Sequence, residues 1–450
     1  MGSTSKNQMH SYVSASSKFV TQHDTPSAFL ERCISAIEIR EKEVKAFVLT
    51  DLDNARLEAR EATERWKTGT QLSPIDGMPI GVKDIMETAK MPTQQGSTLF
   101  NDWRGGRDCA AVVALREAGA IIVGKTVTTE FAATHPGVTC NPYDLERTPG
   151  GSSSGSAAAV GCGMVAGALG SQVIGSTIRP ASYCGAYGYK PSIGGINRGG
   201  SFDGFSQSCT GIIAATLAEC WMLTREITSR TGGDAGYVGV TGPMSMPITK
   251  RLNKVAMLRT EGWARASDFA KSELNRSKNL LVSAGIKVEN LDSDRKLKEL
   301  EDAISNAMEL SMNINAWEGR WPLDTYYADM DPKRLSKSAH GRLEQAKSMT
   351  QEQFAKLLNE RERVRKIYSG LKGSFDVCVT LAAPAAAPKG LGWTGDPAFT
   401  VSTSLIGMPT VSLPVLEDEG LPLGLQVIGF VDEDAELFAK ADAILQLFQN

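Results

Sequence analysis

Serine side chains are concentrated in one uncharged run, residues 150–176, with the sequence GGSSSGSAAAVGCGMVAGALGSQVIGS. Serine attacks a carbonyl carbon when a base takes its proton, and this run contains neither histidine nor any charged residue. A lysine can be that base if burial or positive neighbours lower its pKa enough to populate the neutral amine. Lys83 directly follows the strand-like stretch Gly77–Val82. Taken alone, however, its position favours an ordinary surface lysine.

Three local structures are predicted within the run. The serines at its start form a loop and cap a small-residue helix over Ala157–Leu169, and a second turn follows at Gly175–Ser176. A flexible glycine–serine linker would lack the apolar residues of this helix. The two turns could be brought together in space, which is the geometry of a site.

A membrane span is the next alternative for the same residues. The segment Ala157–Ser176 is uncharged and contains a GxxxG motif at Gly163–Gly167. Leucine, isoleucine, valine and phenylalanine are sparse in it, whereas glycine and serine are frequent. The composition therefore favours a buried helix that uses small residues for close packing.

A serine-hydrolase elbow would make Ser153 the nucleophile, because Gly151–Gly155 matches GxSxG. That motif should follow a strand and be served by a later histidine. The preceding residues 146–150 are turn-like, and His340 is the single later histidine, in a polar stretch. We therefore predict an exposed His340 without a catalytic role.

The segment Gly119–Thr126 matches the phosphate-binding pattern GxxxxGKT letter for letter. A phosphate-binding loop lies between a strand and a helix and directs its amides at the phosphate. Here the intervening residues 120–123 are apolar and mostly β-branched, so the predicted strand lies inside the motif. The match is interpreted as accidental.

Four segments in the same order carry a family resemblance: PIGVKDIMET, GKTVTTEFA, NPYDLERTPGGSSSGSAAAV and GSQVIGSTIRPASYCGAYGYKPS. Together they closely resemble the amidase signature family, densely over about residues 70–205. The similarity returns near the C-terminus in FTVSTSLIGMPTVSLPV and GLPLGLQVIG.

The resemblance implies a catalytic triad of Lys83, Ser152 and Ser176. In this family pattern Ser176 is the nucleophile that accepts the acyl group. Ser152 lies in a cis peptide and bridges the nucleophile to Lys83, the base that later helps to protonate the leaving amine. Neither a metal nor an organic cofactor is required.

The same resemblance implies an oxyanion hole formed by the backbone N–H groups of Val173, Ile174, Gly175 and Ser176. The family usually has two glycines before the nucleophile, and Ile174 takes the place of the first. If that position requires a positive φ, the β-branched side chain would be strained. Otherwise the backbone angle is ordinary, or the loop has another shape.

Gly151 and Arg179 are the candidate substrate contacts. Many family members place an arginine two positions after the nucleophile, whereas Arg179 comes three positions after Ser176. Its guanidinium could approach the acyl side of a substrate and bind a carboxylate or carbonyl. A structural arginine that braces the loop is the equal alternative.

Helix-like and strand-like segments alternate in a way that suits an α/β layer fold. Helices are predicted over residues 108–119 and 267–284, each ending near a glycine and followed by strands at 120–123 and 286–288. Further predicted elements are four strands and a closing helix: Val255–Leu258, Val377–Thr380, Val411–Val415, Leu423–Ile428 and Asp434–Phe448.

The resemblance implies a single large domain in which helices cover both faces of a mixed central β-sheet. We divide the chain into an N-terminal helical segment (1–70), the signature core (70–240), an α/β continuation (241–372) and C-terminal strands with a closing helix (373–450). The continuation contains a charged helical subregion at about 290–370, with Trp317, Trp321, Tyr326 and Tyr327 in its middle. These aromatics either shape a pocket or pack the helices.

Composition narrows the remaining choices. The hydrophobic fraction is 42%, the formal net charge is −3, and no basic run is present, which argues against binding to nucleic acid or anionic membrane. The eight cysteines are scattered, without a zinc pattern, as expected of reduced core residues. The N-terminus contains no apolar segment of signal-peptide length, so a cytoplasmic protein is the default.

We therefore expect a hydrolase of linear amides that forms an acyl-enzyme, with water as the second substrate and activity extending to anilides, esters or carbamates. A homodimer is left open. The alternatives are an amidotransferase subunit that releases ammonia from glutamine for a tRNA-linked partner, and a catalytically silent binding homologue. The missing basic tract and the unusual turn at Ile174 both disfavour the amidotransferase alternative.

Overall fold

A mixed β-sheet of eleven strands forms the centre of the molecule in a computed structural model that describes residues 8–449. The strands lie in the order β1-β3-β2-β4-β6-β5-β10-β11-β9-β7-β8. Their bounds are β1 (Phe47–Thr50), β2 (Pro79–Lys83), β3 (Ile121–Thr126), β4 (Gly167–Gln172), β5 (Tyr187–Lys190), β6 (Cys209–Ala214), β7 (Lys254–Met257), β8 (Lys287–Glu289), β9 (Val377–Leu381), β10 (Thr410–Asp418) and β11 (Leu421–Ile428).

Fifteen α-helices belong to the described residues. They are α1 (Tyr12–Phe19), α2 (Pro26–Val44), α3 (Leu52–Thr68), α4 (Ala110–Glu117), α5 (Ser154–Gly161), α6 (Ile178–Tyr183), α7 (Leu217–Thr231), α8 (Asp268–Ser283), α9 (Arg295–Ala303), α10 (Ala307–Glu318), α11 (Arg320–Asp329), α12 (Lys337–Lys347), α13 (Gln351–Ser369), α14 (Val401–Ile406) and α15 (Asp434–Gln449). Short 3-10 turns lie at Thr98–Phe100, Glu130–Ala132, Trp263–Arg265 and Pro332–Arg334.

Apolar side chains on the two faces of the sheet belong to separate hydrophobic clusters. In β3, Ile122 packs into one cluster while Ile121 and Val123 pack into the other. In β6, Ile212 and Ile213 divide in the same way. Neighbouring residues of a strand point to opposite faces, so strands buried on both faces are apolar at nearly every position. The predicted single large domain with a helix-covered mixed sheet is confirmed.

Strand β4 lies within the serine-rich run and belongs to a group of three parallel strands with β2 and β3. β2 lies between β3 and β4 and is parallel to both, with Val82 opposite Lys125 on one side and Leu169 on the other. Because parallel strands end at the same edge of a sheet, the residues that follow β2 and β4 are brought to one edge. That edge carries Lys83 and the start of the 173–176 loop.

Most of the elements predicted around the core agree with the structure. The predicted helix and strand at 108–123 correspond to α4 and β3, and those at 267–288 to α8 and β8. The four further strands correspond to β7, β9, β10 and β11, and the closing helix to α15. The 290–370 subregion consists of α9 to α13, as predicted.

The helix predicted over Ala157–Leu169 is wrong in its second half. Helix α5 ends at Gly161, and β4 begins at Gly167 as a central strand between β2 and β6. Gly163 turns the chain with a φ of +74°. Glycine adopts such a φ readily and ends helices for that reason, so the GxxxG spacing marks a helix-to-strand turn.

Residues 8–70 are mostly helical, but β1 lies among them and pairs antiparallel with β3, while residues 1–7 of the predicted N-terminal segment lie outside the described residues. The N-terminal segment thus contributes a strand to the sheet edge. The division of the chain at residues 70, 240 and 372 stays a prediction.

None of the helices within residues 8–449 has the length and apolar character needed to cross a membrane. All eight cysteines are free thiols in buried positions, which confirms their interpretation as reduced core residues.

Candidate active site

Lys83 ends strand β2 and is fully buried, so the surface position that its sequence context favours is wrong. Its Nζ donates to three serine hydroxyls: Ser152 Oγ at 2.7 Å, Ser171 Oγ at 2.8 Å and Ser153 Oγ at 3.1 Å. These are normal hydrogen-bond distances, and each hydroxyl accepts with a lone pair. The amine is therefore surrounded by neutral groups that can pass a proton.

Burial lowers the pKa of the Lys83 ammonium to about 7, while the negative charge of Asp203 acts in the opposite direction. Burial disfavours the charged form of an amine because the low-dielectric interior solvates it poorly. A substantial fraction of Lys83 is then neutral near neutral pH, as a base requires.

The loop that carries Ser152 runs beside the loop that carries Ser176. The peptide bond Gly151–Ser152 is cis. The amide of Ser153 donates to the carbonyl of Ser176 at 3.2 Å, which ties the two loops together. On the other side, the amide of Thr129 donates to the carbonyl of Ser152 at 3.3 Å. The structure thus brings Lys83, Ser152 and the backbone of Ser176 to one place.

Ser176 is half-buried and lines a cavity of about 380 Å³. Apolar side chains form much of the wall: Val173, Ile174, Phe205, Met308, Met312 and Trp393. The charged residues in the wall are Arg179, Arg265, Arg342 and Asp396. A cavity of this size and character suits a small organic molecule.

The backbone amides of residues 173–176 find no acceptor among residues 8–449. The next two amides along the chain are occupied, since those of Thr177 and Ile178 both donate to Gln172 Oε1 at 3.0 Å. Backbone N–H groups that lack a partner beside a cavity can bind a developing negative charge. The predicted donors Val173, Ile174 and Gly175 all lie in the cavity wall.

Ile174 does not strain this loop. Neither Ile174 nor Gly175 has a positive φ, so the ordinary backbone angle is the correct one of the alternatives. The Ile174 side chain packs against a hydrophobic cluster that includes Val401 and Leu405 of α14. Gly175 is needed for closeness, because an added Cβ would lie 2.1 Å from Thr400 Oγ1.

Arg179 braces the two loops from within the protein. Its Nη2 donates to the carbonyl of Gly151 at 2.7 Å, and its Nε donates to the carbonyl of Thr394 at 3.0 Å. Burial lowers the pKa of the Arg179 guanidinium. These bonds match the bracing alternative, and they bring the two candidate substrate contacts, Gly151 and Arg179, against each other.

A family model described as Amidase matches residues 28–438. The chain belongs to the amidase family. The resemblance of the sequence motifs is thereby confirmed, and the matched range covers the sheet, both serine loops and the cavity wall.

Curated relatives and solved structures extend this membership over the whole chain. The A-type subunit of glutamyl-tRNA(Gln) amidotransferase from Lachnospira eligens is 29% identical over 455 residues, 93% of this chain and 94% of that protein. A crystal structure of an amidase superposes with a TM-score of 0.84 at 25% identity, covering 97% of this chain and 99% of that one. The A-type subunit from Thermotoga maritima gives a TM-score of 0.75 at 24% identity, covering 96% and 94% of the two chains.

Several residues of this amidase-family site were not predicted from the sequence. Ser171 and Ser153 lie within the segments that carry the family resemblance, but no contact with Lys83 is predicted for either, and both accept hydrogen bonds from it. A signal for Ser171 exists, because β4 is parallel to β2 and ends at the same edge. Arg342 comes from α12, far along the chain, and no motif points to it.

The two accidental motifs have structural explanations. Lys125 of the GxxxxGKT match is buried within β3, where its Nζ lies 3.0 Å from Asp84 Oδ1 and donates to the carbonyl of Met86 at 2.9 Å. His340 is half-buried in α12, with Nε2 3.0 Å from the carbonyl of Pro332, so its predicted full exposure is wrong. Ser153 precedes α5 and bonds to Lys83, not to a histidine.

Proposed function

We propose that this amidase-family chain hydrolyses a carboxamide through an acyl-enzyme on Ser176. The observation that carries the proposal is Lys83, buried and hydrogen-bonded to three serine hydroxyls beside the cavity that Ser176 lines. Serine hydrolysis without histidine needs a base whose neutral form is populated, and the lowered pKa of Lys83 supports that role.

Acylation proceeds with Ser152 as the bridge. Neutral Lys83 takes the proton of the Ser152 hydroxyl while Ser152 takes the proton of Ser176, and Ser176 Oγ forms a bond to the carbonyl carbon. The resulting oxyanion accepts hydrogen bonds from amides of residues 173–176. When the C–N bond breaks, the proton returns from Lys83 through Ser152 to the leaving amine.

Deacylation repeats the same proton path with water. Water gives its proton through Ser152 to Lys83 and attacks the acyl carbon, and Ser176 recovers a proton as the acid leaves. An oxyanion-hole donor is worth roughly 2.7–4 kcal/mol in serine hydrolases, so the loop amides should lower the barrier of both steps.

The identity of the amide has two candidates. The apolar cavity wall favours a linear amide with an apolar acyl or amine group, with anilides, esters or carbamates cleaved by the same acyl chemistry. Such a hydrolase would act alone and would need no partner subunit.

The second candidate is an amidotransferase A-type subunit that acts on glutamine. The names of relatives that match nearly the whole chain favour it over the linear-amide hydrolase. Several are A-type subunits of glutamyl-tRNA(Gln) amidotransferase at 27–29% identity. The family resemblance implies that a subunit of this kind releases ammonia from glutamine. Two sequence features disfavour this candidate, namely the missing basic tract and the Ile174 turn. The Ile174 turn no longer argues against the amidotransferase candidate, because the φ of Ile174 is not positive.

Arg342 also supports glutamine as the substrate. Arg342 lines the cavity, and its Nε has no hydrogen-bond partner within the described part of the chain. Burial lowers its pKa to about 10, while the negative charge of Glu130 acts in the opposite direction. Glutamine carries a carboxylate that a buried arginine can bind. A simple apolar amide would bring no carboxylate to this cation.

A substrate panel separates the two candidates. Purified chain is incubated with L-glutamine, p-nitrobutyranilide, p-nitrophenyl butyrate and a p-nitrophenyl carbamate. The products measured are ammonia from glutamine, p-nitroaniline from the anilide and p-nitrophenol from the ester and the carbamate. Ser176→Ala is the matched control and should abolish every activity. Glutamine turnover lost in Arg342→Met, with the anilide rate unchanged, supports the amidotransferase candidate. Anilide turnover without glutamine turnover supports the free-standing hydrolase. If wild type and Ser176→Ala behave alike on all four, the proposal is wrong.

A further inference from the structure

The side chain of Gln172 closes the loop between β4 and α6. It is fully buried at the end of β4, and its Oε1 accepts the amides of Thr177 and Ile178, both at 3.0 Å. A buried amide side chain needs partners for its donors as well as for its acceptor. Its Nε2 finds one in Ser404 Oγ of α14, at 3.1 Å.

Ser404 continues this connection to the other side of the loop. Its hydroxyl accepts from Gln172 and donates to the carbonyl of Ile174 at 3.1 Å. The side chain is buried at 1% exposure. A hydrogen-bond chain thus runs from the amides of residues 177 and 178 through Gln172 and Ser404 to Ile174, and it encloses Ser176.

Because a peptide group is planar, this hydrogen-bond chain also fixes the direction in which the oxyanion donors point. In a trans peptide the C=O and the following N–H point in opposite directions. The carbonyl of Ile174 points at Ser404, so the N–H of Gly175 points away from α14. The carbonyl of Gly175 accepts the Arg179 amide at 3.1 Å, which fixes the Ser176 N–H in the same manner.

We infer that Ser404 and Gln172 are positioning residues for catalysis, which hold the Ile174–Gly175 peptide so that the Gly175 N–H serves the oxyanion. The inference rests on the proposed function of Ser176. Without the Ser404 hydroxyl, the carbonyl of Ile174 has no donor within residues 8–449, and its peptide plane loses this restraint. In place of a glycine-rich turn, this chain uses two side-chain hydrogen bonds and the Ile174 side chain, which packs against the hydrophobic cluster that includes Val401 and Leu405.

The rate of labelling by a fluorophosphonate tests this inference. In that reaction Ser176 Oγ displaces fluoride, and the phosphoryl oxygen occupies the position of the oxyanion. We expect Ser404→Ala to slow the second-order rate by about 10-fold to 100-fold, a partial loss of one oxyanion donor. The pH dependence of labelling should keep its midpoint, since Lys83 is untouched, whereas a disturbed base would shift it.

The control is Ser402→Ala. Ser402 lies on the same helix with 2% exposure and makes no side-chain hydrogen bond in the described chain, so its labelling rate should stay within about 2-fold of wild type. Ser404→Cys keeps a weak donor of similar size and should fall between wild type and Ser404→Ala. Because both residues act through one network, Gln172→Met added to Ser404→Ala should cost less than the product of the single losses.

The outcomes are distinguishable. A Ser404→Ala rate equal to that of Ser402→Ala overturns the inference and leaves the proposed function intact. A shifted midpoint in Ser404→Ala overturns it too, because the effect then passes through the base. If Ser404→Ala does not fold, a wild-type rate in Ser404→Cys overturns the inference. An unlabelled wild type contradicts the proposed function itself.

Discussion

Two buried lysines of this protein differ in what surrounds their amines. Lys125 lies 3.0 Å from the carboxylate of Asp84, whereas Lys83 contacts three neutral hydroxyls. Burial lowers the pKa of both ammonium groups, and Asp84 opposes that effect at Lys125. A nearby carboxylate stabilises the charged amine, so Lys83 is better suited than Lys125 to accept a proton.

The pH dependence of turnover follows from this difference. Activity requires neutral Lys83, and its pKa is about 7, so kcat/KM should rise with pH through a midpoint near 7 and then level off. Steady-state rates between about pH 5.5 and 9 measure it. A profile still rising steeply at the alkaline end would mean an ordinary lysine pKa and a different base.

The free energy of unfolding should also depend on pH through the proton of Lys83. Between pH 7 and 10.5 the unfolded chain holds the Lys83 proton and the folded chain does not, so the free energy of unfolding rises with pH there. Relative to Lys83→Met, wild type should gain about 1.4 kcal/mol per pH unit in this window, and the gain should stop above the unfolded pKa. Urea unfolding of both proteins at about pH 7, 8 and 9 gives the slope, and equal slopes would contradict the lowered pKa.

At the level of elements, the loop between β4 and α6 depends on its neighbours. Ile174 packs against the cluster that includes Val401, and Gly175 approaches Thr400 too closely for any side chain. Arg179, from α6, joins this loop to the turn at Gly151. The shape of the oxyanion loop is therefore set by α6 and α14 as much as by its own residues.

Replacing Ile174 by glycine tests whether this side chain supports the loop. Ile174→Gly removes the packing on α14 and adds backbone freedom, so it should lower the free energy of unfolding by about 2–4 kcal/mol and slow turnover. Ile174→Val is the milder control, with a loss of about 0.5–1.5 kcal/mol. Denaturant unfolding and kcat measure both effects. A faster and equally stable Ile174→Gly enzyme would show that isoleucine strains the loop.

Sequence patterns predicted the regular elements well and failed at one informative place. Strands β7, β9, β10 and β11 are apolar runs, and α8 and α15 have amphipathic spacing, so their types could be predicted. The segment 157–169 has small residues throughout, and such residues fit a buried helix and a buried central strand equally. The segment 167–172 forms a strand because it pairs with β2 and β6 in the sheet. The local composition does not contain this information.

For the whole molecule, the cavity explains what the sequence could not predict. Its wall combines the 173–176 loop with Met308 and Met312 of α10, Arg342 of α12 and the 393–397 segment. These parts lie far apart along the chain, so only the fold brings them together. The proposed triad residues could be assigned through motif resemblance. Arg342 lies outside every segment that carries the resemblance, and the contact between Gln172 and Ser404 joins two such segments that lie far apart along the chain.

A free-standing amidase and an amidotransferase component differ in whether the whole molecule assembles with partner proteins. A homologue of the amidotransferase component should form a stable complex with partner proteins and hydrolyse glutamine slowly alone. Expression of a tagged chain in its native host, followed by size exclusion and mass spectrometry, should then recover defined partners in fixed stoichiometry. A lone chain or a homodimer with full activity on p-nitrobutyranilide would support the free-standing hydrolase.

The most direct test of the central claim is to locate the covalent adduct. After reaction with a fluorophosphonate at about pH 8, where Lys83 is mostly neutral, intact mass and peptide mapping should show one adduct, on Ser176. It should be absent in Ser176→Ala and strongly slowed in Lys83→Met. The peptide spanning residues 150–176 contains every serine of the run, so fragmentation distinguishes Ser176 from Ser152 and Ser153. An adduct on another serine, or none at all, would contradict the account.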